Sequence, residues 1–263
     1  MKVSIITVCL NADKTLADTL ASVALQDYAQ LEHLIIDGGS TDCSLALAEA
    51  WASPKLKVWS ERDKGIYDAM NKGLARAKGD IVCFLNADDF FLRPDAVRVA
   101  AEAASRSVVD CIFGGTQFFE PDGRHSLRRL YSARGFRRWW LSVGMMPPHP
   151  SAFIRREAML TAGGFDDSFR IAGDFDLIAR LILRQQATWK TIPQVLTGFR
   201  QGGLSTRGRE ARRAIERELA VSLARLGHAC PRLAVKARLP LKLAQFANLR
   251  RHQPELFFRG HRV

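Results

Sequence analysis

No two cysteines stand in a C-x-x-C pair, and the five present, Cys9, Cys43, Cys83, Cys111 and Cys230, are odd in number. That pattern suggests neither a disulfide framework nor a cysteine zinc site; free thiols in a reducing cytoplasm fit it best. Neither G-x-G-x-x-G nor G-x-x-x-x-G-K-[ST] occurs, which weighs against a dinucleotide enzyme and a P-loop NTPase. Long apolar runs are missing as well. The longest uncharged stretch, WWLSVGMMPPHPSAFI, is broken by three prolines and a histidine and makes a poor membrane span. The opening MKVSIITVCLNAD turns polar after one short apolar run and has no small-residue cleavage site, so a signal peptide is not expected.

What is present is a globular composition: 263 residues, 47% hydrophobic and 25% charged, enough for one sizeable core or one core plus an appendage. The net charge of +12 is unevenly spread. Residues 1–199 hold 24 Lys+Arg against 23 Asp+Glu, whereas residues 200–263 hold 15 against 4. The asymmetry predicts a boundary near residue 205, with a main domain over 1–205 and a basic helical appendage over 206–263.

In the main domain, apolar β-branched runs alternate with amphipathic segments of helix length. Strands are predicted at residues 3–9, 33–38, 56–61 and 80–86, and helices at 13–25, 42–52 and 66–77. Continuous apolar character suits strands buried on both faces, and the alternation builds βαβ units with a mostly parallel sheet flanked by helices. Ligands of such α/β sheets collect at the carboxyl ends of the strands. The polar residues there are Asn11, Asp37, Asp63 and the group Asn86, Asp88 and Asp89.

Within IIDGGSTDCS, the glycines allow a tight turn and Ser40 or Asp42 can cap the next helix, but neither role accounts for Asp37 at the strand end. A carboxylate there can accept hydrogen bonds from a nucleotide base or ribose. In FLNADDFF, Asp88 and Asp89 repel each other unless a cation intervenes; Mg²⁺ binds through one or two carboxylates plus substrate phosphates. The competing reading is a solvated turn, where aspartates are common.

The series SIITVCLN, HLIIDGGSTD, ERDKGIYDAMNKGLARAKGD, FLNADD and GGFDDSFRIAGDFDLIARL, over residues 3–205, resembles the inverting family 2 glycosyltransferases of GT-A (Rossmann-like) fold, non-processive and of the bacterial surface-polysaccharide type. The resemblance implies a nucleotide-binding half at 1–120, an acceptor and catalytic half at 121–205, and a divalent cation, Mg²⁺ or Mn²⁺. It implies nucleotide-sugar contacts from Val8, Asn11, Asp37, Asp63, Asn86, Ala87, Asp88 and Arg200, and metal binding by Asp88 supported by Asp89. Asp174 matches the general base. This chain departs from the family pattern twice: Asn86 replaces the first aspartate of the D-x-D-type motif, and Gly173 replaces the glutamate before the base. Asp174 can equally cap the helix FDLIARLILR. His149 and Asp176 are expected on the acceptor side, and the segment 198–206 resembles a loop that closes over donor phosphates.

Six arginines at 124–138 precede Trp139 and Trp140, a combination suited to a membrane–water interface or to a core edge beside a basic loop. In the tail, Ile215, Leu219, Leu223 and Leu226 share one helical face, and a second basic segment spans 232–251. The first helix is expected to pack on the domain and the second to adsorb to an anionic membrane. The resulting expectation is a cytoplasmic enzyme, peripheral at the inner face of the cell membrane, that moves one sugar to a lipid-linked glycan acceptor. A GT-A-like nucleotidyltransferase is the enzymatic alternative, although VCLNADKTL lacks a Gly-rich basic phosphate loop; a nucleic-acid binder acting through the tail is the non-enzymatic one.

Overall fold

The computed structural model describes residues 1–122, 126–203 and 208–238, with backbone alone for 126–128. In the first half, β1 (Val3–Cys9), α1 (Leu16–Ala24), β2 (Leu31–Asp37), α2 (Ser44–Ala50), β3 (Leu56–Ser60), α3 (Ile66–Arg76) and β4 (Ile81–Phe84) alternate. There follow β5 (Phe90–Phe91), α4 (Ala96–Ser107), β6 (Cys111–Phe119), β7 (Ser126–Tyr131), α5 (Arg138–Leu141), β8 (Ala152–Arg155) and α6 (Arg156–Thr161). The chain then forms α7 (Gly173–Ala179), which runs on as a π turn over Arg180–Arg184, then β9 (Trp189–Arg200) and α8 (Gly208–Arg225).

Among the described residues, nine strands make one sheet, in the order β3-β2-β1-β4-β8-β6-β9-β5, with β7 also on β6. The block β3-β2-β1-β4 is parallel, as the apolar runs predict. All seven residues of β1 and of β2 are buried because both faces are covered. Alternating side chains go to opposite layers. Ile6, Leu34 and Ile36 meet Tyr67, Met70 and Leu74 of α3 in one cluster; Val3 and Ile5 meet Val97, Ala100 and Ala104 of α4 in another. Beyond β4 the pairing is mixed: β8 is antiparallel to β4 and β6, β9 is parallel to β6, and β5 is antiparallel to β9.

Two registers position the site. Cys9, Asp37 and Ser60 lie side by side at the carboxyl ends of β1, β2 and β3. Phe90 faces Gly198, so the turn that carries Asp88 and Asp89 is brought against the end of β9 at Arg200.

The boundary expected at 205 precedes a helix that enters the main core. Leu219, Ala220 and Leu223 of α8 are buried in one cluster with Leu177 and Ile178 of α7, while Arg209, Arg212 and Arg213 are exposed. Residues 231–238 are helical. The remainder of the 232–251 segment, Arg124, and residues 204–207 of the 198–206 segment lie outside the described residues. Among the described residues, no helix is long and apolar enough to cross a membrane.

Candidate active site

The first element of the site is a carboxylate held by its own turn. Asp37, fully buried, accepts hydrogen bonds from the backbone N–H groups of Gly39 (3.1 Å) and Ser40 (3.1 Å) and from the Ser60 hydroxyl (2.6 Å). Burial acts to raise its pKa, but these bonds to the ionised form outweigh it and hold Asp37 below the usual carboxylate range. Asp42 lies one residue before the N-cap of α2, Cys43, and accepts from the Ser44 N–H at 2.9 Å. Asn11 sits in the left-handed region at φ 52°. It ties the end of β1 to this turn: its N–H donates to Ser40 Oγ, and its Oδ1 accepts from the Thr41 N–H, both at 2.9 Å. Val8 and Ala87 are buried in the walls beneath.

Asp63 closes the opposite side. A Cβ built on Gly38 would stand 2.2 Å from Asp63 Oδ2, so only glycine lets this carboxylate lie across the β2 turn. Burial pushes the pKa of Asp63 up, against the lowering effect of the Gly65 N–H at 2.9 Å.

The second element is the 86–89 turn, closed by Asp89 N–H to Asn86 C=O at 3.0 Å. Asp88 is partly exposed, and burial raises its pKa while the nearby Arg200 and His149 pull it down. Gly203 lies over Asp88, since a Cβ there would come within 3.5 Å of Oδ2. Asp89 is different: at 0% exposure it lies behind Asp88, with Oδ1 accepting from the Arg200 N–H at 3.3 Å. Burial and the adjacent Asp88 charge push its pKa well up. Arg200 is itself buried; its guanidinium pairs with Asp18 and lies 5.3 Å from the Phe90 ring centroid. Among the described residues, five buried side-chain polar atoms have no partner, and three of them are here: Asn86 Oδ1, Asp89 Oδ2 and Arg200 Nε. Buried polar atoms are nearly always satisfied in finished structures, so such a concentration marks a place for a polar ligand. A partly exposed carboxylate with buried oxygen acceptors beside it suits a hard cation that completes its shell with phosphate and water. Among the described residues, no three His, Cys, Asp or Glu side chains form a ready-made metal cage.

The third element is Asp174 in the first turn of α7. Its Oδ1 accepts from the Phe175 N–H at 2.8 Å, and its Oδ2 lies 2.9 Å from His149 Nδ1. His149 stands on the short turn before β8, with its ring against Phe199. Motif reading placed both residues in the site but not in contact. Asp18, the partner of Arg200, carries no motif signal and was missed. Asp176 corrects an expectation: rather than facing an acceptor it is buried, Oδ2 accepting from Arg180 Nε (2.7 Å) and Oδ1 from the Ser222 hydroxyl (2.8 Å). With both oxygens occupied it ties α7 to α8.

These three elements can hold a nucleotide at one end, a phosphate-bound cation in the middle and a proton acceptor at the other. Comparison with known proteins identifies the family and the fold. The profile of "Glycosyl transferase family 2" matches residues 4–160. The chain is 37% identical over 185 residues to an uncharacterised glycosyltransferase of Mycobacterium tuberculosis, covering 69% of each chain. It is 30% identical over 211 residues to a PGL/p-HBAD biosynthesis glycosyltransferase of the same organism, covering 77% of this chain and 78% of the relative. The solved mannosyltransferase PcManGT of Pyrobaculum calidifontis, in complex with GDP-Man and Mn²⁺, superposes with a TM-score of 0.66 at 22% identity, over 94% of this chain and 73% of that one. The GT-A architecture expected from the motifs is thereby matched by a solved fold, and by its sequence the chain belongs to glycosyl transferase family 2.

Proposed function

We propose that this glycosyltransferase moves a single sugar, with inversion, from a nucleotide-diphosphate sugar to a lipid-linked glycan acceptor during assembly of a bacterial cell-surface polysaccharide. The observation that carries the reading is the Asp174–His149 contact at 2.9 Å, which holds a carboxylate in a fixed orientation in the first turn of α7.

Asp37, Asp63 and the turn braced by Asn11 grip the nucleoside, with Val8 and Ala87 as walls. The Asn86 amide hydrogen-bonds a ribose hydroxyl without adding charge. Asp88, backed by Asp89, would hold Mg²⁺ or Mn²⁺ against the diphosphate, where the cation's charge offsets that of the leaving group. Arg200 meets the same phosphates as a charge-assisted donor on leaving Asp18. The Asp174 carboxylate takes the proton of the acceptor hydroxyl as its oxygen bonds to the anomeric carbon, and the bond to the diphosphate oxygen breaks on the opposite face. His149 orients Asp174 for that transfer. The +11 excess of residues 200–263 supports docking of the tail, residues 206–263, on an anionic membrane surface at the cytoplasmic face. Trp139, 51% exposed beside the exposed Arg137 and Arg138, supports a second contact with the same surface.

The test is a turnover and binding screen across UDP-, GDP- and dTDP-sugars with Mg²⁺ or Mn²⁺, with Asp88→Ala and Asp174→Ala as controls. One donor is expected to be bound and turned over by the wild type, bound without turnover by Asp174→Ala, and bound weakly with no turnover by Asp88→Ala. Absence of binding to every donor would refute the donor-site assignment.

A further inference from the structure

The chain entering α7 is held by side chains from two distant elements. Glu218 of α8 accepts three successive backbone N–H bonds: Arg170 at 3.0 Å to Oε1, and Ile171 at 2.9 Å and Ala172 at 2.8 Å to Oε2. The next residue packs under the buried Tyr67 on α3, since a Cβ on Gly173 would meet three of its ring carbons at 2.7–2.9 Å. This is why glycine precedes Asp174: an aromatic ring fills the space where a side chain would begin. The backbone N–H groups of residues 170 to 172 are therefore fixed from outside α7, and Gly173 is packed in place by Tyr67.

We propose that Glu218 is a positioning residue for Asp174, acting through the 170–172 backbone with Tyr67 as the second support; the proposal rests on Asp174 being the base. A carboxylate that takes three successive amides makes charge-assisted bonds to a concave run of donors, so it cannot shift without releasing all three. Asp174 follows Ala172 by two residues, and a displacement of the loop passes directly to its carboxylate. A misplacement of about 1 Å in a reacting group can cost about a hundredfold in rate. Glu218 is itself anchored, because Leu219 and Leu223 beside it are buried against α7. The family profile ends at residue 160. The helix beyond it, in a segment that composition marks as a basic appendage, thus completes the catalytic unit.

Full-length Glu218→Ala, Glu218→Gln, Ile81→Ala and Asp174→Asn separate this role from general stability. Hydrogen exchange needs no ligand. In Glu218→Ala the amides of residues 170–172 should exchange at least tenfold faster, while those of residues 219–223 stay protected. Donor hydrolysis, with the nucleotide sugar and cation found in the screen above and water as acceptor, should show kcat reduced at least tenfold with donor Kd within twofold. Glu218→Gln, which keeps one oxygen acceptor, should recover part of the loss. Ile81→Ala, in the separate cluster at the start of β4, should lower the melting temperature more than Glu218→Ala, yet keep kcat within twofold where it is folded. Unchanged exchange at residues 170–172, a Glu218→Ala kcat within twofold of wild type, or an equal kcat loss in Ile81→Ala would overturn the proposal. An active Asp174→Asn would overturn the base assignment itself; an inactive Asp174→Asn beside a fully active Glu218→Ala would overturn only the role of Glu218.

Discussion

His33 offers a quantitative test of how deeply the parallel block is buried. It lies in the middle of β2, 3% exposed, with Nε2 3.0 Å from the Thr7 hydroxyl on β1. Burial disfavours the imidazolium and pushes its pKa down to about 3. In the unfolded chain the ring titrates near 6.5. Between these values the unfolded state binds a proton that the native state refuses, so native stability is complete above about pH 6.5 and falls as the medium is acidified. The slope approaches about 1.4 kcal/mol per pH unit, and from pH 7 to pH 4.5 the loss attributable to this ring is about 2.5 kcal/mol. His33→Gln keeps a polar partner for Thr7 but cannot titrate. Guanidinium unfolding of both proteins at four pH values across that range gives the difference directly. The variant should start less stable at pH 7 and gain on the wild type by about 2.5 kcal/mol at pH 4.5. Parallel stability curves would show that water reaches His33 and that the strand is not sealed on both faces.

Two further substitutions probe the donor site and the fold. Gly38→Ala should displace the Asp63 carboxylate, whose Oδ2 lies 2.2 Å from the new Cβ, and weaken donor binding about tenfold or more in calorimetric titration with little change in melting temperature; unaltered affinity would remove Asp63 from the nucleotide site. Val108 ends α4 at φ 47° and 77% exposure, a conformation costly for a β-branched side chain, so Val108→Gly should stabilise the protein by about 1 kcal/mol and raise the melting temperature by about 2–4 °C.

The sequence is most legible where structure is local. The strands β1 to β4 and helices α1 to α3 fall within a few residues of their predicted spans, because burial on both faces writes an unbroken apolar run and each helix writes its own period. The strands β6 and β9 carry no such signature: Gly114 and Gly115 interrupt the first, and its parallel partner arrives some seventy residues later. The site divides in the same way. Asp37, Asp88 and Asp174 are visible because each lies in a motif at or beside the end of a regular element. The contacts of His149 with Asp174, Arg200 with Asp18, and Glu218 with residues 170–172 join segments far apart in the chain and leave no spacing to read. Asp176 shows the converse, a motif aspartate whose oxygens are consumed by Arg180 and Ser222 once α8 packs.

The division of labour between the 86–89 turn and α7 is tested most directly by titrating Asp88→Asn and Asp174→Asn with the donor in the presence of Mn²⁺ while following turnover of the same samples. Asp174→Asn should bind the donor as the wild type does and turn over at least a hundredfold more slowly, within the range expected for loss of a general base. Asp88→Asn should lose the Mn²⁺-dependent part of binding. Wild-type turnover by Asp174→Asn, or unchanged Mn²⁺-dependent affinity in Asp88→Asn, would contradict the account.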